Sequence, residues 1–432
     1  MTVVSLEFNE INIEAIIDYN RRGLLPEFDD LIRRCGVSYT TSETEYEKIE
    51  PWIQWVTAHT GLDLNEHRVF RLGDIRNRNL PQIWEVLEHH GLRVGAVSPM
   101  NAENRCSDPV FFVPDPWVQG KIDAPWAMRQ LYSAVVQAVN DNAQSKITIK
   151  SSLQLVIGLA AYGRISSWPA YLSLAKLIFA KKAWAKAILL DRLLADFFLC
   201  QISKNKLDFA SLFLNAGAHI QHHYMFNSAT YAGKLKNPDW YVKPNDDPVL
   251  KVYECYDYIL RQVRIALPDA RVVVSTGIHQ VPHHGVTYYW RIKEHAQFLN
   301  RHGIKFKSVE PRMSRDFVVY CSSEAEAEAA SRDLLSITSL EGRSLFSVDN
   351  RGLSIFVTLT WPFDIAEGFQ YKSNGNVFTG LNNDVAFVAI KNGQHDGMGY
   401  VIDSKGGGSG QKFPLKDLPK KMAAACGVQN AF

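Results

Sequence analysis

The sequence predicts an α/β fold, a three-layer sandwich with helices on both sides of a mostly parallel central sheet, and three observations predict it. Short apolar runs alternate with amphipathic helical patterns over the first hundred residues. Apolar runs return at 210–214 and 270–275, each followed by a loop rich in His. The composition, 46% hydrophobic and 21% charged, is that of a chain able to bury a core, which excludes disordered, collagen-like and disulfide-knot classes.

The elements follow in order. Val3 to Phe8 is mostly apolar, as a strand covered on both faces would be. Pro26 opens a helix in which Phe28, Leu31 and Ile32 recur at helical spacing, ending near Cys35 and Gly36. Residues 83–90 read as a second amphipathic helix, Gly91 as its stop, and 92–97 as the next strand. From 114 to 207 the pattern turns helical, rich in Ala, Leu, Lys and Trp, with Gly163 and Pro169 as breakers, and predicts a helical insertion or cap. Within it, Ala180-Lys-Lys-Ala-Trp-Ala-Lys-Ala sets basic beside apolar residues. A solvated helix face is the plainer reading and contact with a membrane surface or partner the sharper one. Residues 291–361 predict a small α+β module: a strand at 317–321, a helix at 324–335, and a hairpin around Asn350-Arg-Gly. That module is assigned to a lid or an oligomer contact. The main body is then 1–113, 208–290 and 362–432. The glycine cluster 405–411 lacks the order of a phosphate-cradling loop and reads as surface loop.

Charge and cysteine usage limit the function. Forty-seven basic against 45 acidic residues leave +2, so no nucleic-acid partner is expected. Six cysteines stand singly, without CxxC spacing, as in a reducing compartment. No basic, then apolar, leader opens the sequence, and the most apolar stretch, 153–162, is far short of the ~20 residues of a bilayer span. A cytoplasmic protein with no stable membrane span is expected. Its oligomeric state is left open.

Seven of the thirteen histidines fall in three places: His219, His222 and His223; His279, His283 and His284; and His395. Each group follows a predicted strand, and imidazole is both ligand and proton carrier near neutral pH, so their convergence at one sheet edge predicts a metal or acid/base site. Glu7 and Glu10 flank the end of the first strand. Glu50 precedes Pro51-Trp52-Ile53-Gln54-Trp55, where either desolvation suits its carboxyl to acid/base work or the helix N-terminus simply favours its charge. Trp55 is a candidate stacking surface, although side chains at the spacing of three of Trp52 and Trp55 more often pack into a core, and the core is the preferred reading.

Several segments in order resemble the alkaline phosphatase superfamily, in particular its type I phosphodiesterase/nucleotide pyrophosphatase branch. They are Asn9 with Leu25-Pro26-Glu-Phe-Asp-Asp-Leu, Thr57-Ala-His-Thr60-Gly61 with His67, and the helix and strand at 83–97. Phe213-Leu-Asn215-Ala-Gly-Ala-His219 looks like that family's D-x-x-x-H motif, Ser275-Thr276-Gly277 stands where it has S-D-H-G, Gly393-Gln-His395 resembles its G-x-H, and 414–427 its terminal helix. The resemblance implies two divalent ions and a Thr or Ser nucleophile acting on phosphoesters. Here Asn9 and Asn215 replace aspartates, Thr276 and Gly277 replace an Asp-His pair, and the nucleophile position falls at Pro51 or Glu50. Two ions would be poorly compensated by such neutral ligands.

Three readings follow. In the first, His219, His395 and His279 (or His283) hold one divalent ion such as zinc, and a glutamate activates water against a phosphoester or nucleotide-sugar. In the second there is no metal, and Glu7, Glu10 and Glu50 carry out acid, base or nucleophilic work on a glycan, with Asn9 and His279 also in catalytic roles. Asn215, His222, His223, Thr276, His283 and Trp55 would hold the small-molecule or glycan substrate. In the third, the chain binds a ligand or partner without turnover.

Overall fold

Val3–Phe8 (β1) is buried at every position, because helices cover both of its faces. The structure, a computed structural model, describes residues 1–140, 148–312, 315–406, 408–429 and 431–432. After β1 come α1 (Ile13–Asn20), capped by the Asn12 side chain, α2 (Pro26–Cys35) and β2 (Ser38–Thr41). Leu25 offers α2 no side-chain cap, and Asp257 does this from a distance, its Oδ1 accepting from Glu27 N and Phe28 N at 2.9 Å each. Next stand α3 (Pro51–Thr60), α4 (Leu64–His67), α5 (Ile83–His89), β3 (Val94–Val97) and β4 (Phe111–Val113). Four helices follow: α6 (Trp126–Asn140), α7 (Ile149–Tyr162), α8 (Trp168–Phe179) and α9 (Trp184–Lys204). Then come β5 (Phe209–Leu214), α10 (Ala216–Tyr224), α11 (Pro248–Ala266) and β6 (Arg271–Ser275).

The chain forms two units, the first running to Val139, on to Pro282 and again from Gly393 to Phe432, the second being His283–Asn392. β7 (His279–Ile292) leads out of the first. The second unit contains α12 (His295–Arg301), β8 (Ser308–Pro311), β9 (Asp316–Tyr320), α13 (Glu324–Leu335), β10 (Thr338–Ser339), β11 (Phe346–Asn350), β12 (Ser354–Leu359), β13 (Gln370–Ser373), β14 (Asn376–Thr379) and α14 (Leu381–Asp384). Its sheets run β11-β12-β9-β8 and β10-β13-β14, all antiparallel, over a core of its own that includes Phe298, Leu334, Val357 and Tyr371. It takes in residues 362–392, which the sequence reading placed in the main body. The chain returns along β15 (Val385–Asp396), paired with β7, and ends with β16 (Met398–Asp403), β17 (Lys412–Pro414) and α15 (Leu418–Ala425). Gly407, in the glycine cluster, lies outside the described residues.

The first unit is built on an eight-stranded sheet ordered β17-β2-β16-β6-β1-β5-β3-β4. β6, β1, β5, β3 and β4 run parallel, and β16 alone is antiparallel to its neighbours. Strand alternation divides the side chains between two cores. Val4, Leu6 and Phe8 join Leu212, Val274 and Ile402 beneath α2, α9 and α11. Val3, Phe213 and Val273 join Trp55, Trp84 and Met422 from α3, α5 and α15. This is a mixed α/β architecture of three layers. The helical stretch after β4 is part of it, since Leu193, Phe197 and Ile202 of α9 are buried in the main core. All six cysteines are free thiols.

Candidate functional site

The parallel strands β1, β5 and β6 end side by side, and the residues after their C-terminal ends build the site, as expected for an open α/β sheet. Past β1, Glu10 takes a left-handed backbone conformation (φ 56), fixed by its N–H donating to Thr276 O at 3.0 Å. A non-glycine residue there costs of order 1 kcal/mol, which the surrounding bonds hold in place. The turn aims a carboxylate that is 1% exposed at two histidines. Its Oε2 lies 3.4 Å from His222 Nε2 and 3.2 Å from His395 Nε2, and the two Nε2 atoms are 3.2 Å apart. Burial pushes the Glu10 carboxyl up, but the two imidazoles outweigh it and hold the group well below the usual carboxylate range.

Each member has support. Gln280 Nε2 donates to Glu10 Oε2 at 2.6 Å and Asn9 Nδ2 to its Oε1 at 3.1 Å. Gln221 Nε2 donates to Glu10 O at 2.7 Å, from the helix that carries His222. Asp191 of α9 braces the start of α10, accepting from Ala216 N at 2.8 Å and Tyr256 OH at 2.7 Å, with burial raising its pKa to about 6. A Cβ on Gly393 would collide with Gln280 Oε1, so the glycine two residues before His395 makes room for the Glu10 support. On the far side of His395, Glu50 Oε2 stands 3.5 Å from Nδ1, and the Tyr46 ring stacks on the imidazole with centroids 6.5 Å apart. Glu50 is the N-cap residue of α3, which places its carboxylate at the positive end of the helix.

Among the described residues, Glu10, His222 and His395 are one set of three side chains whose ligating atoms lie within 4.8 Å of one another. Three ligands at 2.0–2.1 Å from a tetrahedral ion stand about 3.3 Å apart. The observed edges of 3.2, 3.2 and 3.4 Å fit this, as does the donor chemistry of two imidazoles and one carboxylate with a fourth position left over.

The other expected ligands are placed differently. His219 is half-buried beside His223, centroids 5.1 Å apart, and burial lowers its pKa to about 4. It is one helical turn from His222 and outside the set, because β5 delivers α10 with position 222 toward Glu10. His279 is also outside the set. Its Nδ1 donates to Met398 O at 2.7 Å, with Asp396 Oδ1 at 3.7 Å. His283 belongs to the second unit, its Nδ1 engaged with Gly285. Glu7 points into the β1/α3/α5 core, where it meets Ser5 Oγ at 3.3 Å and His59 Nε2 at 3.1 Å. Trp55 is 1% exposed and offers no open face for stacking; its Nε1 donates to Asn9 Oδ1 at 2.7 Å. Thr276 is fully buried, its Oγ1 accepting from Tyr400 N at 2.9 Å, which makes it a strand-end staple. Asn9 Nδ2 also donates to Asn215 Oδ1 at 2.8 Å, leaving the half-buried Asn215 with its own amide N–H groups to offer. Gln280, Gln221 and Tyr46 were missed, since amides and a tyrosine at these positions belong to no motif.

The fold and the site define an α/β protein with a His/Glu donor cluster at the carboxyl edge of its sheet. No protein family matches the chain, and no curated protein does. Solved structures similar to it include phosphonoacetate hydrolase from Sinorhizobium meliloti 1021 in complex with phosphonoformate, at 11% identity and TM-score 0.48, covering 99% of this chain and 96% of that one. Murine ectonucleotide pyrophosphatase/phosphodiesterase 5 is also similar, at 10% identity and TM-score 0.45, covering 99% and 95%. No helix among the described residues is long and apolar enough to cross a membrane.

Proposed function

We propose that this protein is a hydrolase of phosphoryl esters that works with one divalent cation held by Glu10, His222 and His395. The observation that carries the reading is the near-equilateral triangle of ligating atoms, with edges of 3.2, 3.2 and 3.4 Å. The substrate class comes from the resemblance of the ordered motifs to phosphodiesterases, and the solved structures reported above are named for phosphonate and nucleotide phosphodiester chemistry.

An ion bound at these atoms would supply Lewis acidity toward a phosphoryl oxygen and toward a water. The chain's own residues do the rest. Glu50 Oε2, 3.5 Å from His395 Nδ1, would favour the tautomer with its proton on that nitrogen and so leave Nε2 to the ion as a donor. With its Oε2 turned to that imidazole, Glu50 is a positioning residue rather than the nucleophile its place at the start of α3 suggests. Asn215, fixed through Asn9, presents amide N–H groups to a phosphoryl oxygen. The glycosidic alternative needs a pair from Glu7, Glu10 and Glu50 on one substrate, and the inward turn of Glu7 to His59 takes one of the three away from it.

The test is zinc and manganese titration of the purified chain, followed by hydrolysis of bis-p-nitrophenyl phosphate and p-nitrophenyl phenylphosphonate. One ion per chain is expected, with turnover lost in His222→Ala and His395→Ala. Failure to bind an ion, or equal turnover in those variants, overturns the proposal.

A further inference from the structure

The helices α7 and α8 both pack on α9, and their outer faces carry exposed apolar side chains. In α7 the inward residues are Ser151, Gln154, Gly158 and Tyr162. Ile149, Leu153 and Val156, at spacings of four and three, fall on the opposite side of the helix, exposed by 91%, 61% and 59%. Ile165, Leu172 and Phe179 continue the pattern through and along α8, at 89%, 59% and 87%, with Trp168 beside them. A soluble surface rarely concentrates large apolar side chains in this way without a surface to bury them against.

The charges around these side chains indicate which surface that is. From Thr148 to Leu190 there are six cations, Lys150, Arg164, Lys176, Lys181, Lys182 and Lys186, and no Asp or Glu, where a chain with 45 acids in 432 residues would place about four. Among the described ion pairs only Lys182 of the six has a carboxylate partner, Asp246. The whole chain is close to neutral, so this is a local asymmetry. Apolar residues on one face, flanking lysines and an interfacial Trp are what lets a helix lie in the headgroup region of a membrane, with long side chains reaching the phosphates.

We propose that α7 and α8 dock this protein on an anionic lipid surface, lying in the interface without spanning it. The test is co-sedimentation of the full chain with phosphatidylcholine vesicles, with and without phosphatidylglycerol. Binding to the phosphatidylglycerol vesicles is expected, weakened by salt and at least about tenfold weaker on phosphatidylcholine alone. Leu172→Ser and Phe179→Ser change exposed positions, so folding, read from the thermal midpoint, stays the same while partitioning falls about tenfold or more for each. Lys176→Glu with Lys181→Glu should abolish the preference for anionic lipid. The proposal is overturned if the wild type ignores phosphatidylglycerol vesicles, or if the serine variants bind as well as the wild type. It is equally overturned if those variants instead dissociate a dimer in lipid-free solution, which would give the face to a second copy of the chain.

Discussion

Replacing Glu50 by Gln separates a carboxylate that positions His395 from one that attacks phosphorus. Across the 3.5 Å from Oε2 to His395 Nδ1, a full unit charge on the imidazole would interact by about 5 kcal/mol at an effective dielectric of about 20 and about 1 kcal/mol in bulk water, and a neutral imidazole that shares the charge of a bound ion interacts by a fraction of the larger figure. The Glu50 side chain is 27% exposed and that of His395 10%, so a value near 2 kcal/mol is expected, or roughly 10- to 100-fold in metal affinity. The neutral amide keeps the shape and an acceptor oxygen but loses the charge that matches a metal-bound imidazole. The assay is zinc affinity by competition with a chromophoric chelator, together with turnover of bis-p-nitrophenyl phosphate at rising zinc. The variant should bind zinc more weakly and recover near wild-type turnover once saturated. If turnover stays down by more than about a thousandfold with the ion bound, Glu50 is the nucleophile or base and the positioning argument fails. It fails equally if zinc affinity does not change.

Three further outcomes follow from the same geometry. Asn215→Ala should lower kcat by roughly 10- to 100-fold with little change in zinc affinity, since under the proposed function its amide, held by Asn9, serves the substrate and not the ion; an unaltered kcat would remove it from the site. Gly217→Ala places a Cβ 2.6 Å from Ile11 Cγ2 and 3.0 Å from Tyr256 Cε2, and should cost about 1–3 kcal/mol in urea unfolding while displacing α10. His67 is buried and neutral, its Nδ1 accepting from Val69 N at 3.0 Å and its Nε2 3.1 Å from Thr57 Oγ1, and burial lowers its pKa from 6.5 to about 4. The unfolded chain takes up that proton first, so its contribution to stability is complete above pH 6.5 and is lost as pH falls toward 4, roughly 3 kcal/mol in all. Urea melts at pH 7, 5.5 and 4.5 should show the decline, and His67→Gln should flatten it; an equal slope in both would refute the assignment.

Much of the frame was legible because it is written in local pattern. The apolar run Val3 to Phe8, the helix opened by Pro26 and the stop at Gly91 are decided by neighbours a few residues apart. The hairpin at Asn350-Arg-Gly appears as the antiparallel pair β11 and β12 for the same reason. Within the site, Glu10 could be read as a candidate from its place after the first strand and His395 from Gly393-Gln-His395, although His395 lies inside β15 and not after a strand, and the position of Glu50 before α3 could be read as well. Which of three neighbouring histidines on α10 meets Glu10 could not be read, because it depends on the rotation of the helix about its axis. That rotation is set by Asp191 at the N-terminus of α10, by Gly217 against Ile11 and Tyr256, and by the core of α9 and α11.

The sequence by itself determined an α/β chain with a parallel sheet, near-neutral charge, single cysteines and a concentration of His and Glu after strand ends, since composition and short-range periodicity follow directly from covalent order. Only the tertiary structure decided that Glu10, His222 and His395 share one triangle of donor atoms, that Glu7 faces His59 in the core, and that His279 turns to Met398 O. The segments involved are separated by up to hundreds of residues along the chain. Their meeting depends on strand order, on one left-handed residue after β1 and on which face of each strand is covered, and no local pattern encodes these.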